Sequence, residues 1–197
     1  MYTYKIEQAI RAITILHEDQ LRRGSVPLPY ISHLFAVMVI LRDYTTDEDT
    51  LVAALLHDTV EDTDYTEDEL KDDFGGPVAE LVLAITEPEM DGEIKLTWLE
   101  KKKTYIKQIK KADKGSLMIC AADKIHNLRS VVEEYYESHD RFIQDFGPNL
   151  QDRLEVYQNI SNVLNSRLKN DIVHEFNNIF TEYKNFLINV QESTNRN

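Results

Sequence analysis

Residues 51–62 read LVAALLHDTVED, and no other stretch constrains the fold as strongly. An apolar run leads straight into His57-Asp58, and Glu61-Asp62 follow one helical turn later. On a helix, positions four apart share a face, so His57 is expected beneath Glu61 and Asp58 beneath Asp62. Polar groups packed at the end of so apolar a segment cost several kcal/mol unless something compensates them. A bound cation is the simplest compensation. The same letters also fit a helix end frayed into solvent with ordinary surface acids, and His-Asp alone does not separate the two readings.

The rest of the chain supplies helices and little else. Ile6, Ala9, Ile10, Ile13 and Leu16 fall at helical spacing within residues 4–21, and Gly24, Pro27 and Pro29 end that helix in a stiff loop carrying Arg22 and Arg23. Ser32 is the expected cap of a second helix, SHLFAVMVILRDY, and Thr46 or Asp47 opens the third. Thr66 with Glu69 fits a capping box for a short fourth helix stopped at Gly75-Gly76, and Pro77 opens a fifth. Residues 87–96 read as a loop before a lysine-rich helix, which Gly115 breaks. SLMICAADKIHNLRSVVEEYYES forms the next helix, with Asp123 in its interior, and two amphipathic stretches at 149–168 and 171–189 complete the chain. No alternating strand pattern occurs, so the class is all-α.

Charge narrows the function. With 22 basic and 35 acidic residues the net charge is −13, which argues against nucleic acid or an anionic membrane as partner. A phosphorylated ligand then needs a local basic cluster or a metal. The single cysteine, Cys120, lies in an apolar run; it excludes an internal disulfide and suits a core position in a reducing, cytoplasmic setting. No secretory leader and no membrane-spanning stretch is expected.

Four polar residues sit within or beside apolar helical runs: His33, His57, Asp58 and Asp123. Imidazole with carboxylate suits Mn²⁺, Fe²⁺ or Zn²⁺ better than an all-oxygen calcium site. Four such ligands leave room for water on a six-coordinate ion, and that water is acidified. Glu61 and Asp62, one turn away, could then deprotonate it and protonate a leaving group. Singly, His33 also fits a hydrogen-bonded core histidine, and Asp123 a helix cap or a partner for Lys124 or Arg129.

The order H…HD…D resembles the HD phosphohydrolase superfamily. PYISH (29–33), AALLHDTVEDT (53–63), FGGPVAELV (74–82) and AADKIHNLRS (121–130) are similar to the hydrolase domain of the RelA/SpoT family, and especially to its small single-domain alarmone hydrolases. The resemblance covers about residues 22–130, with a weaker echo at Arg153–Tyr157. It implies an HD-type helical bundle over 1–150 with a C-terminal helical extension over 151–197. It further implies one Mn²⁺ ion and hydrolysis of the 3′-pyrophosphate of (p)ppGpp to GDP or GTP.

Matched by motif, His33, His57, Asp58 and Asp123 would hold the metal and Glu61 and Asp62 form the catalytic pair. Arg22, Arg23, Lys101, Lys102, Asn127 and Tyr157 would contact substrate. Three departures stand out: Leu34 where the family has proline, SVPLPY in place of its Gly-Glu-Pro-Tyr lead-in, and ITEPE in place of Val-Thr-Lys. They leave open a second HD-type activity on a nucleoside monophosphate, a deoxynucleotide or the 2′-phosphate of NADPH.

Overall fold

A computed structural model describes residues 2–24, 26–92 and 94–194. Its helices are α1 (Tyr4–Leu16), α2 (Ile31–Arg42), α3 (Glu48–Leu56), α4 (Thr59–Asp62), α5 (Glu67–Phe74) and α6 (Gly76–Leu83). A two-residue hairpin, β1 (Met90–Asp91) with β2 (Ile94–Lys95), precedes α7 (Trp98–Ile109) and α8 (Lys114–Tyr135). Then come α9 (His139–Phe146), α10 (Leu150–Arg167) and α11 (Ile172–Thr194). The all-α class expected from the sequence holds; the hairpin is an ornament on the 87–96 loop, pairing Met90 with Lys95 and Asp91 with Ile94.

The centre of the bundle is α3. Every residue from Thr50 to Leu56 is buried, because α1, α2, α6 and α8 pack around it. A helix covered on all sides must be apolar all round, which explains the unbroken run LVAALL. The Asp47 carboxylate caps its start by accepting from Thr50 N at 2.9 Å. The first half of α8, Leu117–Ala122, is buried in the same way, and α11 lies along α8 with Phe176, Phe180, Tyr183 and Phe186 inside. One continuous core cluster runs from Ile6 to Val190. Among the described residues no helix is long and apolar enough to cross a membrane.

Several local expectations change. Residues 51–62 are not one helix: α3 stops at Leu56 and α4 starts at Thr59, with His57 and Asp58 as caps between them. The Thr59 hydroxyl donates to the freed Leu56 carbonyl at 2.7 Å, so the break leaves no orphan there. Only the Asp58–Asp62 pair keeps its four-residue register, through Asp62 N to Asp58 O at 2.8 Å. Ser32 is not a cap, since α2 begins at Ile31 and Tyr30 holds the cap position. Gly115 lies inside the first turn of α8, which Asp113 caps through Ser116 N at 2.7 Å. The chain after Tyr135 turns into a separate helix, α9, which periodicity had not separated from α8.

Phe176 tests whether α10 and α11 belong to the same cooperative unit. It is fully buried on α11. Phe176→Ala is expected to cost about 3–5 kcal/mol. The urea transitions followed by far-UV circular dichroism and by Trp98 fluorescence should shift together and remain coincident.

Candidate metal centre and its cleft

The helix break at His57 is what builds the site. Released from helical spacing, His57 and Asp58 turn toward the same point as His33 from α2 and Asp123 from mid-α8. His33 Nε2 lies 3.6 Å from Asp58 Oδ2 and 3.3 Å from Asp123 Oδ1. His57 Nε2 lies 3.2 and 3.8 Å from the same two oxygens. The donor atoms of His33, His57 and Asp58 all fall within 4.8 Å of one another. Asp123, His33 and His57 are buried.

Protons assign the lone pairs. His57 Nδ1 bonds the Ala54 carbonyl at 2.9 Å, and a carbonyl only accepts, so Nδ1 carries the proton. Its Nε2 then presents a lone pair, buried and without a hydrogen-bond partner, toward two carboxylate oxygens. Three electron-rich atoms facing one another demand a proton or a cation between them. Without a cation the proton is the only remedy: burial alone would lower the His57 pKa, but Asp58 and then Asp123 outweigh it and lift the pKa to about 9. Burial pushes the Asp58 carboxyl up, yet His57 and His33 hold it below the usual range. Two imidazole nitrogens and two carboxylates suit a divalent transition ion, so the donor set fits a metal.

A second layer of side chains aims these candidate ligands. Tyr30 OH donates to Asp58 Oδ2 at 2.6 Å, Lys124 Nζ reaches Asp123 Oδ2 at 2.6 Å, and Asn127 Nδ2 donates to Asp123 Oδ1. His33 Nδ1 sits 2.8 Å from His126 Nδ1. A cation on His33 Nε2 puts the proton on Nδ1, with His126 accepting; burial, His33 and Arg22 depress the His126 pKa to about 3 and keep it neutral for that role.

Glu61 and Asp62 lie one turn beyond Asp58. Burial, then Glu87 and Asp58, raise the Glu61 pKa to about 7, and its Oε2 accepts from Glu87 N at 2.9 Å. Asp62 is raised chiefly by burial and faces a cavity of about 410 Å³. A neighbouring cavity of about 580 Å³ shares Arg23, Phe146, Arg153 and Tyr157 with it, making one cleft.

Of the residues expected to touch substrate, Arg22, Arg23, Lys102, Asn127 and Tyr157 line this cleft. Arg22 donates to Asn127 Oδ1 at 2.9 Å and Arg23 to the Asp145 carbonyl at 3.0 Å. Lys102 pairs with Glu87. Lys101 does not reach the cleft and pairs with Glu89 instead. Arg153 lines both cavities and was not singled out. It donates to the Phe146 carbonyl at 2.6 Å and lies 5.3 Å over the Trp98 ring. Its signal was its place one turn before Tyr157 in RLEVY. Tyr30 and His126 are not among the residues expected at the site, although both stand inside quoted motifs; Lys124 is the Asp123 partner that the sequence offered as one reading.

This fold and cluster define a class. A family model described as an HD domain matches residues 9–147, and the chain belongs to that family. The human guanosine-3′,5′-bis(diphosphate) 3′-pyrophosphohydrolase MESH1 is 37% identical over 135 residues, covering 61% of this chain and 73% of the human one. A probable GTP pyrophosphokinase of Mycobacterium leprae is 39% identical over 128 residues, 64% of this chain but only 16% of that protein. The bifunctional (p)ppGpp synthase/hydrolase SpoT of Escherichia coli is 35% identical over 133 residues, 64% of this chain and 18% of its own length. The solved structure of a metazoan SpoT ortholog that hydrolyses ppGpp superposes with a TM-score of 0.74 at 26% identity, over 92% of this chain and 97% of that one.

If the cluster holds a divalent ion, folding and binding are linked. Mn²⁺ at a free concentration one hundred times its Kd is expected to stabilise the protein by about 2.7 kcal/mol. Thermal unfolding with and without the ion measures this, and His57→Ala should remove the shift.

Proposed function

We propose that the chain is a metal-dependent pyrophosphohydrolase that releases pyrophosphate from the 3′ position of ppGpp or pppGpp, leaving GDP or GTP. The observation that carries this reading is the meeting of His33, His57, Asp58 and Asp123 beside Glu61-Asp62, at the edge of a cleft furnished with Arg22, Arg23 and Arg153. Relatives that carry the same activity in their names support it. The HD domain is assigned to residues 1–150 and the helical extension to 151–197. The ion assigned is Mn²⁺, which the family resemblance implies; the mixed imidazole and carboxylate donors also suit Fe²⁺ or Zn²⁺. The buried Cys120 thiol, raised to about 11 by burial, suits a cytoplasmic setting.

When bound, the ion supplies Lewis acidity, offsetting phosphate charge and acidifying water. The side chains do the rest. Asp62, open to the cleft, orients and deprotonates the attacking water. The oxygen adds to the phosphorus nearest the ribose, and the bond from that phosphorus to the ribose 3′-oxygen breaks. Glu61, which burial and its acidic neighbours bring to about 7, returns a proton to that 3′-oxygen. Arg22, Arg23, Lys102 and Arg153 hold the phosphates against an overall charge of −13.

The test is pyrophosphate release from ppGpp with Mn²⁺. Glu61→Gln and Asp62→Asn are each expected to lower kcat roughly a hundredfold to ten-thousandfold. The metal-dependent stability shift should persist in both, because neither carboxylate is a ligand. Absence of GDP and pyrophosphate with metal bound would overturn the reading.

A further inference from the structure

The cleft of about 410 Å³ runs along one face of α8. Asp123, Asn127, Ser130 and Glu134 form a single stripe on that helix, because their spacings fall close to whole turns. Asp123 and Glu134 are about 16 Å apart along the axis at 1.5 Å per residue. The near end of the stripe belongs to the metal cluster. Asn127 follows, bridging Asp123 and Arg22. Glu134 closes the far end, with Val131 as an apolar wall beside it.

Glu134 is out of place for a polyanion site. Its carboxylate is partly buried, lines the cleft, and has no hydrogen bond or ion pair to any described residue. The loop bearing Arg22 and Arg23 passes directly over it. Gly24 there has φ +155°, and a Cβ at that position would collide with Glu134 Oε2. The carboxylate thus lies against the Gly24 backbone, in the space that any larger residue there would claim. An unpaired carboxylate repels phosphates and costs free energy where it is half-desolvated. It serves binding only toward a part of the ligand that donates hydrogen bonds.

We propose that Glu134 reads the base, its two oxygens accepting from N1–H and N2–H₂ of a guanine whose ribose lies at Asn127. This rests on the alarmone reading and names the residue that selects the purine. A carboxylate complements guanine bidentately. It meets only one donor edge on hypoxanthine, and it opposes the N1 lone pair of adenine. The stripe on α8 acts as a ruler for one nucleotide, with reacting phosphate at Asp123, ribose at Asn127 and Watson–Crick edge at Glu134.

Binding of GDP, IDP and ADP to the full chain by calorimetry tests this, beside pyrophosphate release from ppGpp with Mn²⁺. GDP should bind more tightly than IDP and IDP more tightly than ADP, with GDP favoured over ADP by roughly tenfold to a hundredfold. Glu134→Ala should bring the GDP to ADP ratio close to one. Glu134→Gln should weaken GDP and strengthen ADP, because the amide donates to adenine N1 and accepts from its amino group. Circular dichroism checks that both variants fold. An unchanged ratio in Glu134→Ala, or no preference in the parent protein, overturns the assignment. The two possible failures differ: ppGpp cleavage without base preference removes Glu134 alone, whereas GDP preference without ppGpp cleavage removes the alarmone reading and leaves Glu134 as a guanine reader.

Discussion

Two imidazoles and two carboxylates turned toward one point inside an apolar bundle require positive charge among them. The other features near the site follow from that requirement. The chain breaks between α3 and α4 so that consecutive residues, His57 and Asp58, can both face inward. Tyr30, Lys124 and Asn127 then occupy the carboxylate lone pairs that the central charge leaves over. Lys124 itself is half-buried, its ammonium 5.2 Å from the Tyr105 ring centroid and its charge sustained by Asp123.

The 17–30 segment is tied to three helices at once. His17 Nδ1 bonds Gln20 Oε1 at 2.7 Å, and Gln20 Nε2 donates to the Asp62 carbonyl at 2.7 Å. Arg22 crosses to α8 through Asn127, and Arg141 on α9 donates back to the Gly24 carbonyl. His17 also stacks on Tyr30, with ring centroids 5.3 Å apart. The described residues of this segment, closed by the Leu21–Pro29 bridge, are thereby held in register with both the acids of α4 and Asp123 on α8.

Much of this was legible in the sequence, for reasons specific to certain residues. The four candidate ligands stand out because each is a polar residue within or beside an apolar run, where chance placement is expensive, and the motif resemblance points to the same four. The caps at Asp47, Thr66 and Thr97 follow from local hydrogen bonding, and the first two were readable as such. The break at His57 was not, since LVAALLHDTVED has no glycine or proline and its interruption depends on tertiary contacts to His33 and Asp123. Arg153 and Tyr30 escaped because their roles exist only where distant segments meet. Lys101 and Lys102 are adjacent and chemically alike, yet helical rotation sends one to Glu89 and the other into the cleft. Nothing in a run of lysines says which face is which.

Lys102 holds Glu87, and the backbone of Glu87 holds Glu61. A phosphate entering the cleft competes with Glu87 for that ammonium group. Ligand arrival and the environment of the buried acid are therefore joined through a single loop residue, so filling the vestibule perturbs the proton affinity of Glu61, the proton donor in the proposed reaction. A site wired in this way need not be fully armed while empty.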